Sequence, residues 1–389
     1  MSESECSGGV LRGSGEPTSV GSIELFFDLV YVFTIIQLSH FLLEHVSWTS
    51  FARAAVLFAA VWWGWNYTAW AMNWLDPEHP AVRGLLILLM LAGLCMAVAI
   101  PHAFDDRAGV FVGAYLFLQW GRSAFMVWAF RRDPAMRRNY AMLLAWSVLA
   151  GLVWVAGVFV PGSARLVIWA VAVLLDYIAP RVGFWIPGVG TSANATWPLA
   201  EGHLAERNRL VFIIALGESV IILGTTLGGV DWTAAVIAAA VVGFATIVLL
   251  WWLYFSYRTG NAEHHDADRS AATELARGAY AYAHAVMVGG AIVVAVGIEL
   301  VVAHPDSSTS AAVAWTVVGG PAIYLLGNLA FNVARYGRIP WSRPIALLAL
   351  AILLACATHL HALVFAALAM AILLILALAT GELRPARAA

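Results

Sequence analysis

Four polar residues interrupt an apolar stretch near the start of the chain. Glu24, Asp28, Gln37 and His40 all fall within SIELFFDLVYVFTIIQLSH, residues 22–40. An ionisable group at bilayer depth costs from about 2.5 kcal/mol to much more, so such groups face protein or a wet cavity and mark ion or solute pathways. At 100° per residue, Glu24 and Asp28 lie roughly 40° apart and share a face, with Gln37 and His40 nearly opposite. That two-sided polarity predicts a helix enclosed by protein. Glu24 also has an ordinary reading, in which Ser22 caps the helix and Glu24 complements its dipole. Asp28 lies a turn deeper, where a cap no longer explains it.

A second group is His203-Leu-Ala-Glu206-Arg207 leading into Leu216-Gly217-Glu218-Ser219. With Glu206 at 0°, His203 falls near 60°, Arg207 near 100° and Glu218 near 120° on a helix, so His203, Arg207 and Glu218 share one stripe. His203, Glu206 and Arg207 also suit an interfacial first turn with local pairs. Glu218, inside an apolar run, has no such excuse and is the best single candidate. A buried acid near a cation can exchange a proton, as ion coupling and acid catalysis both require. Further on, Tyr280-Ala-Tyr282-Ala-His284 is followed by Glu299 on a related face; a lone His on an apolar helix is as readily a hydrogen-bonded core residue as a ligand. Arg122 and Asp176 are placed to pair with other buried groups. Glu263-His264-His265-Asp266-Ala-Asp268 reads as a solvated charged loop rather than a metal site. No phosphate loop, zinc-spaced Cys/His set or nucleophile elbow is present, so neither cofactor nor metal is expected.

These residues sit in a chain of 389, of which 62% are hydrophobic and 11% charged. Soluble domains carry about 25% charged residues, so this composition belongs to an integral membrane protein. A net charge of −2 gives no reason to expect nucleic acid. Cys6, Cys95 and Cys356 are too scattered for a disulfide framework. Residues 1–22 read as a cytoplasmic tail whose Ser/Gly/Glu-rich start is disordered. Apolar segments of roughly bilayer-spanning length follow at about 23–44, 52–74, 83–101, 109–130, 139–160 and 164–180. Residues 181–204 form a Gly/Pro/Trp-rich linker, with Trp185 and Trp197 suited to the interface. A second series runs at about 205–229, 232–257, 278–303, 311–334, 344–359 and 362–380, and residues 381–389 form a tail. Thr358-His359-Leu360-His361 is the expected break within the long final apolar run. With the N-terminus inside, 17 of the 21 arginines lie on cytoplasmic segments, against Arg53, Arg107 and Arg165 outside and Arg122 within a span. The positive-inside rule therefore favours about 12 transmembrane helices with both termini in the cytoplasm.

The two halves also resemble each other. Asp28-LVYVFTIIQLS aligns with Arg209-LVFIIALGESV, setting Gln37 opposite Glu218; Trp62-Trp63 matches Trp251-Trp252, and Arg83-Gly84 matches Arg277-Gly278. Three matches in one order predict a tandem 6+6 repeat, residues 23–180 and 205–380, related by an axis along the membrane normal. Trp62, Trp63, Trp65, Trp70 and Trp74 crowd one span; an interfacial belt explains only its ends, and the others suit a cavity wall or a cation contact.

Glu24-LFFDLVYVF, His203-LAER with Leu216-GES, and Tyr282-AHAVMVGGAIVVAVG-IE resemble the recurring blocks of the bacterial low temperature requirement A family. The resemblance spans nearly the whole chain. It implies a multi-pass protein of the bacterial inner membrane, tied by its family name to growth in the cold, and supplies no biochemical activity. Carried over residue by residue, the blocks coincide with Glu24, Asp28, His203, Glu206, Arg207, Glu218, His284 and Glu299. Asn208-Arg209 departs from the pattern, where a small or aromatic residue followed by glycine is expected, and puts the local entry of the seventh span in question.

Three functions fit these residues. The leading one is a transporter-like protein binding a proton, cation or small solute at the carboxylate/His cluster. The second is an intramembrane enzyme acting on a lipid or isoprenoid, with Asp28, Glu218 and His284 as its acid groups. The third is a non-catalytic membrane scaffold. The lipid bilayer and a small solute, ion or lipid are the expected partners.

Overall fold

A backbone inside a hydrocarbon layer must satisfy its own N–H and C=O groups, and apolar runs of this length do so as helices. The computed structural model describes residues 9–12, 20–44, 46–192, 197, 201–255 and 277–380. Among them are twelve α-helices and no strand. In chain order these are α1 (Ser22–Glu44), α2 (Trp48–Ala71), α3 (Pro80–Ala99), α4 (Ala108–Ala129), α5 (Pro134–Val158), α6 (Ser163–Ile178), α7 (Glu201–Gly228) and α8 (Ala234–Phe255). A wide helical turn over Arg277–Ala283 then leads into α9 (His284–Ala303), followed by α10 (Ala311–Tyr336), α11 (Ser342–Ala355) and α12 (Ala362–Ala379). Nine of these segments are long and apolar enough to cross a membrane; α2, α6 and α11 are not among them. The final run breaks where the sequence predicts. A single turn, Ala357–His359, separates α11 from α12, and Thr309 donates both its N–H and its hydroxyl to the Leu360 carbonyl.

Local chemistry sets the helix ends. Asp133 accepts from the N–H groups of Ala135 and Met136 ahead of Pro134, a capped start with proline at the first helical position. At its other end α5 is closed by Arg165, whose guanidinium donates to the carbonyls of Gly157, Val158, Val160 and Asp105. Three of these carbonyls lie at the end of α5, where a helix leaves acceptors short of partners, and Asp105 lies in the segment before α4. The Asn208-Arg209 departure leaves no break, because α7 runs unbroken through it and Asn208 donates back to the Leu204 carbonyl at 2.9 Å.

The chain forms two compact units. The first holds the described residues up to Phe41 and from Trp48 to Arg209; the second holds Leu42–Ser47 and the described residues from Leu210 onward. In the first unit α1 is not enclosed as expected. Leu25, Phe26 and Leu29 are 41%, 57% and 57% exposed, because Glu24, Phe27, Asp28 and Tyr31 gather on one buried face and leave the other free for lipid. The N-terminal segment also departs from a disordered tail over residues 9–12. Arg12 N–H donates to the Trp74 carbonyl and Asp76 N–H to the Val10 carbonyl, holding this piece against the end of α2. Beyond α6, Trp197 is not an interfacial residue but is buried against Trp74, Tyr140 and Phe184, with its indole N–H on the Ser192 hydroxyl.

The second unit is built around α9 and α10. A Cβ on Gly290 would lie 2.5 Å from the Tyr324 backbone nitrogen, and one on Gly320 would lie 2.7 Å from that of Val294. Small residues here let two helix backbones touch, the usual device for association where lipid removes the hydrophobic drive.

Candidate functional site

Two pairs spaced four residues apart build the site of the first unit. Glu24 and Asp28 project from one face of α1, and His203 and Arg207 project from one face of the first turns of α7. They meet in register. His203 Nε2 lies 3.0 Å from Glu24 Oε1, and Arg207 makes a two-pronged contact with Asp28, Nε to Oδ2 at 3.1 Å and Nη2 to Oδ1 at 2.5 Å. The remaining prong of Arg207, Nη1, reaches Glu24 Oε1 at 2.8 Å. A planar fork suits this bidentate geometry, where a lysine offers one point charge.

Second partners complete both carboxylates. Asp28 Oδ1 also accepts the Trp65 indole N–H at 2.8 Å, and the Arg207 guanidinium carbon lies 5.8 Å from the centre of the Trp65 ring. One tryptophan of α2 thus holds both members of the ion pair. Glu24 Oε2 accepts the Gly21 N–H at 2.8 Å, so Gly21 and not Ser22 stands at the cap and Glu24 closes a capping box. Arg12 Nη2 approaches the same oxygen at 3.4 Å, while its Nε donates to the carbonyls of Met72 and Leu75. Glu24 therefore serves the start of α1, with Gly21 in the place expected for Ser22, and the same carboxyl also joins the buried cluster.

Charge closes as well. Glu24 and Asp28 are balanced by Arg12 and Arg207, and Glu24, Asp28 and Arg207 are fully buried. His203 is needed for none of this balance. Its Nε2 must carry the hydrogen that faces the carboxylate, and its Nδ1 is buried without a hydrogen-bond partner among the described residues. A buried polar atom left without a partner costs about 1–3 kcal/mol, so such atoms mark places where a proton, water or ligand belongs.

The other sequence candidates are distributed. Glu206 is exposed and lies off this cluster, as does His40, and Gln37 is half-buried. In the second unit Glu218 is buried and Glu299 half-buried. His284 is a hydrogen-bonded core residue, the plainer of its two readings. Its Nδ1–H donates to the Ala279 carbonyl at 2.8 Å, which leaves Nε2 to accept the Tyr254 hydroxyl at 2.8 Å. A small cavity of about 30 Å³ lies in this unit, lined by small and apolar residues such as Gly243, Thr246, Gly297 and Pro321, with no titratable side chain in its wall. Among the described residues no group of three or more His, Cys, Asp or Glu is gathered for a metal. The loop Glu263–Asp268 lies outside the described residues.

Sequence reasoning missed Arg12, assigned to a tail, and did not single out Trp65 from its neighbours. It named Arg122 but missed the stripe around it on α4, where Tyr115, Gln119 and Ser123 recur with Arg122 at helical spacing and all are buried. That period was readable in the sequence.

Among the described residues the regular structure is helical, with nine membrane-length segments and a buried ionic ladder, which makes this a multi-pass membrane protein. The profile of the bacterial low temperature requirement A protein (LtrA) family matches residues 19–378, and the chain belongs to that family. It is 36% identical over 334 residues to the uncharacterized protein RA0937 of Rhizobium meliloti (strain 1021), a match covering 84% of this chain and 80% of the relative. No solved structure matches.

Proposed function

We propose that this LtrA-family protein is transporter-like and moves a cation or small solute across the inner membrane in exchange for, or together with, a proton. The observation that carries the reading is His203. It is an imidazole with one nitrogen committed to Glu24 and the other buried and open, beside a cluster already neutral without it. A proton accepted at Nδ1 gives the cluster one net positive charge. That charge weakens the hold of Glu24 and Asp28 on Arg207 and favours a second arrangement of α1 against the start of α7. Intramembrane ionisable groups of this kind mark proton relays and ion paths. Within the same reading, all twelve helices cross the membrane as a tandem 6+6 repeat with both termini cytoplasmic.

The test uses inverted membrane vesicles with a respiration-driven pH gradient, followed by a pH-sensitive dye while a panel of metal cations, amino acids and polyamines is added. At least one solute should dissipate the gradient in vesicles carrying the protein. That response should vanish in His203→Gln at unchanged protein level. Equal responses with and without the protein across the panel would count against transport. The enzyme reading has less support, since the apolar cavity of the second unit is only about 30 Å³ and has no acid group in its wall.

A further inference from the structure

A second buried ionic system lies in the first unit, with no hydrogen bond joining it to the Glu24–Arg207 cluster. Arg122 of α4 is buried, yet every side chain or carbonyl that accepts from it is neutral: the Gly64 carbonyl at 3.3 Å, the Thr68 hydroxyl at 3.4 Å and Gln119 Oε1 at 2.6 Å. The chain continues from there. Gln119 Nε2 donates to the Tyr115 hydroxyl oxygen at 2.9 Å, and the Tyr115 O–H donates to Asp176 Oδ2 at 2.7 Å.

The direction of every bond follows from one end. A guanidinium only donates, so Gln119 must turn its oxygen toward Arg122 and its nitrogen toward Tyr115. Tyr115, having accepted from that nitrogen, spends its own hydrogen on Asp176. Arg122 and Asp176 are thus a buried ion pair held apart by two neutral side chains, each polarised in the same sense. Aligned hydrogen bonds of this kind strengthen one another and carry the electrostatic influence of one end to the other.

The two oxygens of Asp176 are not equivalent. Oδ2 accepts from both Tyr115 and the Trp154 indole N–H, at 2.7 and 3.2 Å, while none of the hydrogen bonds that hold the side chain falls on Oδ1. The groups facing this carboxylate are Tyr115 and, through Gln119, Arg122 from α4 and the indole of Trp154 from α5. From α2, the Trp63 ring stacks on the adjacent Tyr177, whose hydroxyl donates to the Ala59 carbonyl at 3.0 Å. Asp176 is also close to where regular structure stops. At 16 residues α6 is about 24 Å long, short of a hydrocarbon core about 30 Å thick. After it the chain folds into a small hairpin, Ile186 pairing with Gly190, whose Trp185 carbonyl accepts the indole N–H of Trp146 at the midpoint of the 25-residue α5. Arg138, in the first turns of α5, donates to the Val189 carbonyl of the same hairpin, so non-helical backbone and a charged side chain follow directly on the end of α6.

We infer that Asp176 is a proton-binding site, loaded at Oδ1 from water beside the end of α6, and that its occupancy is relayed through Tyr115 and Gln119 to Arg122. The step moves one proton from hydronium to a carboxylate oxygen: one O–H bond of hydronium breaks, leaving water, and one O–H bond forms at Oδ1. Loading removes the negative end of the relayed pair and leaves Arg122 as a buried cation with neutral partners, a state that favours entry of a compensating anion or movement of α4. The inference does not rest on transport and can be tested on the isolated protein.

The experiment is infrared difference spectroscopy of the purified full chain in detergent, taken between alkaline and acid buffers. Acidification should produce a protonated-carboxyl band that is missing from Asp176→Asn. The band should move in frequency in Tyr115→Phe, which keeps the ring and deletes the donated O–H. Gln119→Leu, which cuts the relay without touching Asp176, should change the proton affinity read from the band by about tenfold, within the usual 5–150-fold range of coupling between sites. Identical difference spectra for wild type and Asp176→Asn would overturn the site. Should Asp176→Asn fail to fold, a band with unaltered frequency in Tyr115→Phe would overturn it equally. An unchanged affinity in Gln119→Leu would overturn the relay.

Discussion

Arg207 is the residue on which the first site turns, because its three donor atoms reach both carboxylates. Removing one partner of a buried ion pair leaves an uncompensated charge and costs about 3–5 kcal/mol, more than the pair itself contributes to stability. Arg207→Gln should therefore lower the thermal unfolding midpoint in detergent sharply. Pairing it with Asp28→Asn should restore part of the loss, since the orphaned charge goes with it. Purely additive losses in this double-mutant cycle would show that the contact carries little coupling. Glu218 calls for a different expectation. It is buried inside α7, so Glu218→Gln should reach the membrane at near-normal level and fail to complement the phenotype of a deletion strain, while Glu218→Asp retains part of it. Full restoration by Gln would remove Glu218 from the functional site and favour a scaffold.

At the scale of elements, the α9–α10 contact offers a test within one helix. Gly319 and Gly320 are neighbours, but a Cβ on Gly319 meets nothing within 4 Å, whereas one on Gly320 lands 2.7 Å from the Val294 backbone nitrogen. Gly319→Ala should be neutral or stabilising by up to about 1 kcal/mol through helix propensity alone. Gly320→Ala must push two backbones apart and should cost about 1–3 kcal/mol, as overpacking does. Unfolding midpoints of the two variants in the same detergent decide between these outcomes, and equal values would mean that the helices do not rely on this approach. Composition alone could not have separated these glycines, because only the facing helix distinguishes them.

For the whole molecule, the proposed twelve-span arrangement predicts which loops a membrane-impermeant thiol reagent reaches. In a background lacking Cys6, Cys95 and Cys356, a cysteine placed at Asp106 or Asp306 should be labelled in intact cells. One at Asp133 or Arg338 should be labelled only after the membrane is opened. Labelling of the Asp133→Cys variant from outside would reverse or break the topology. The arginine distribution behind this expectation needs one refinement. Arg12 and Arg207 neutralise Glu24 and Asp28, so within the proposed topology they are parts of the site as much as topological signals.

What the sequence determined by itself was the class of the protein, the positions of its helices and the identity of most buried charges. All three follow from local rules: apolar run length against bilayer thickness, the 3.6-residue period, and the cost of an ion in hydrocarbon. Hence Glu24, Asp28, His203 and Arg207 were legible, and the break before α12 fell at Thr358–His361. Partnership was not legible, because it depends on residues far apart in the chain. The tertiary structure decided that Asp28 belongs to Arg207 and Trp65, that His284 belongs to Tyr254, and that Glu206 faces away. It also decided that Arg122 reaches Asp176 only through Gln119 and Tyr115. The physical reason is direction. Spacing along a helix says which side chains share a face, and only packing says what that face meets.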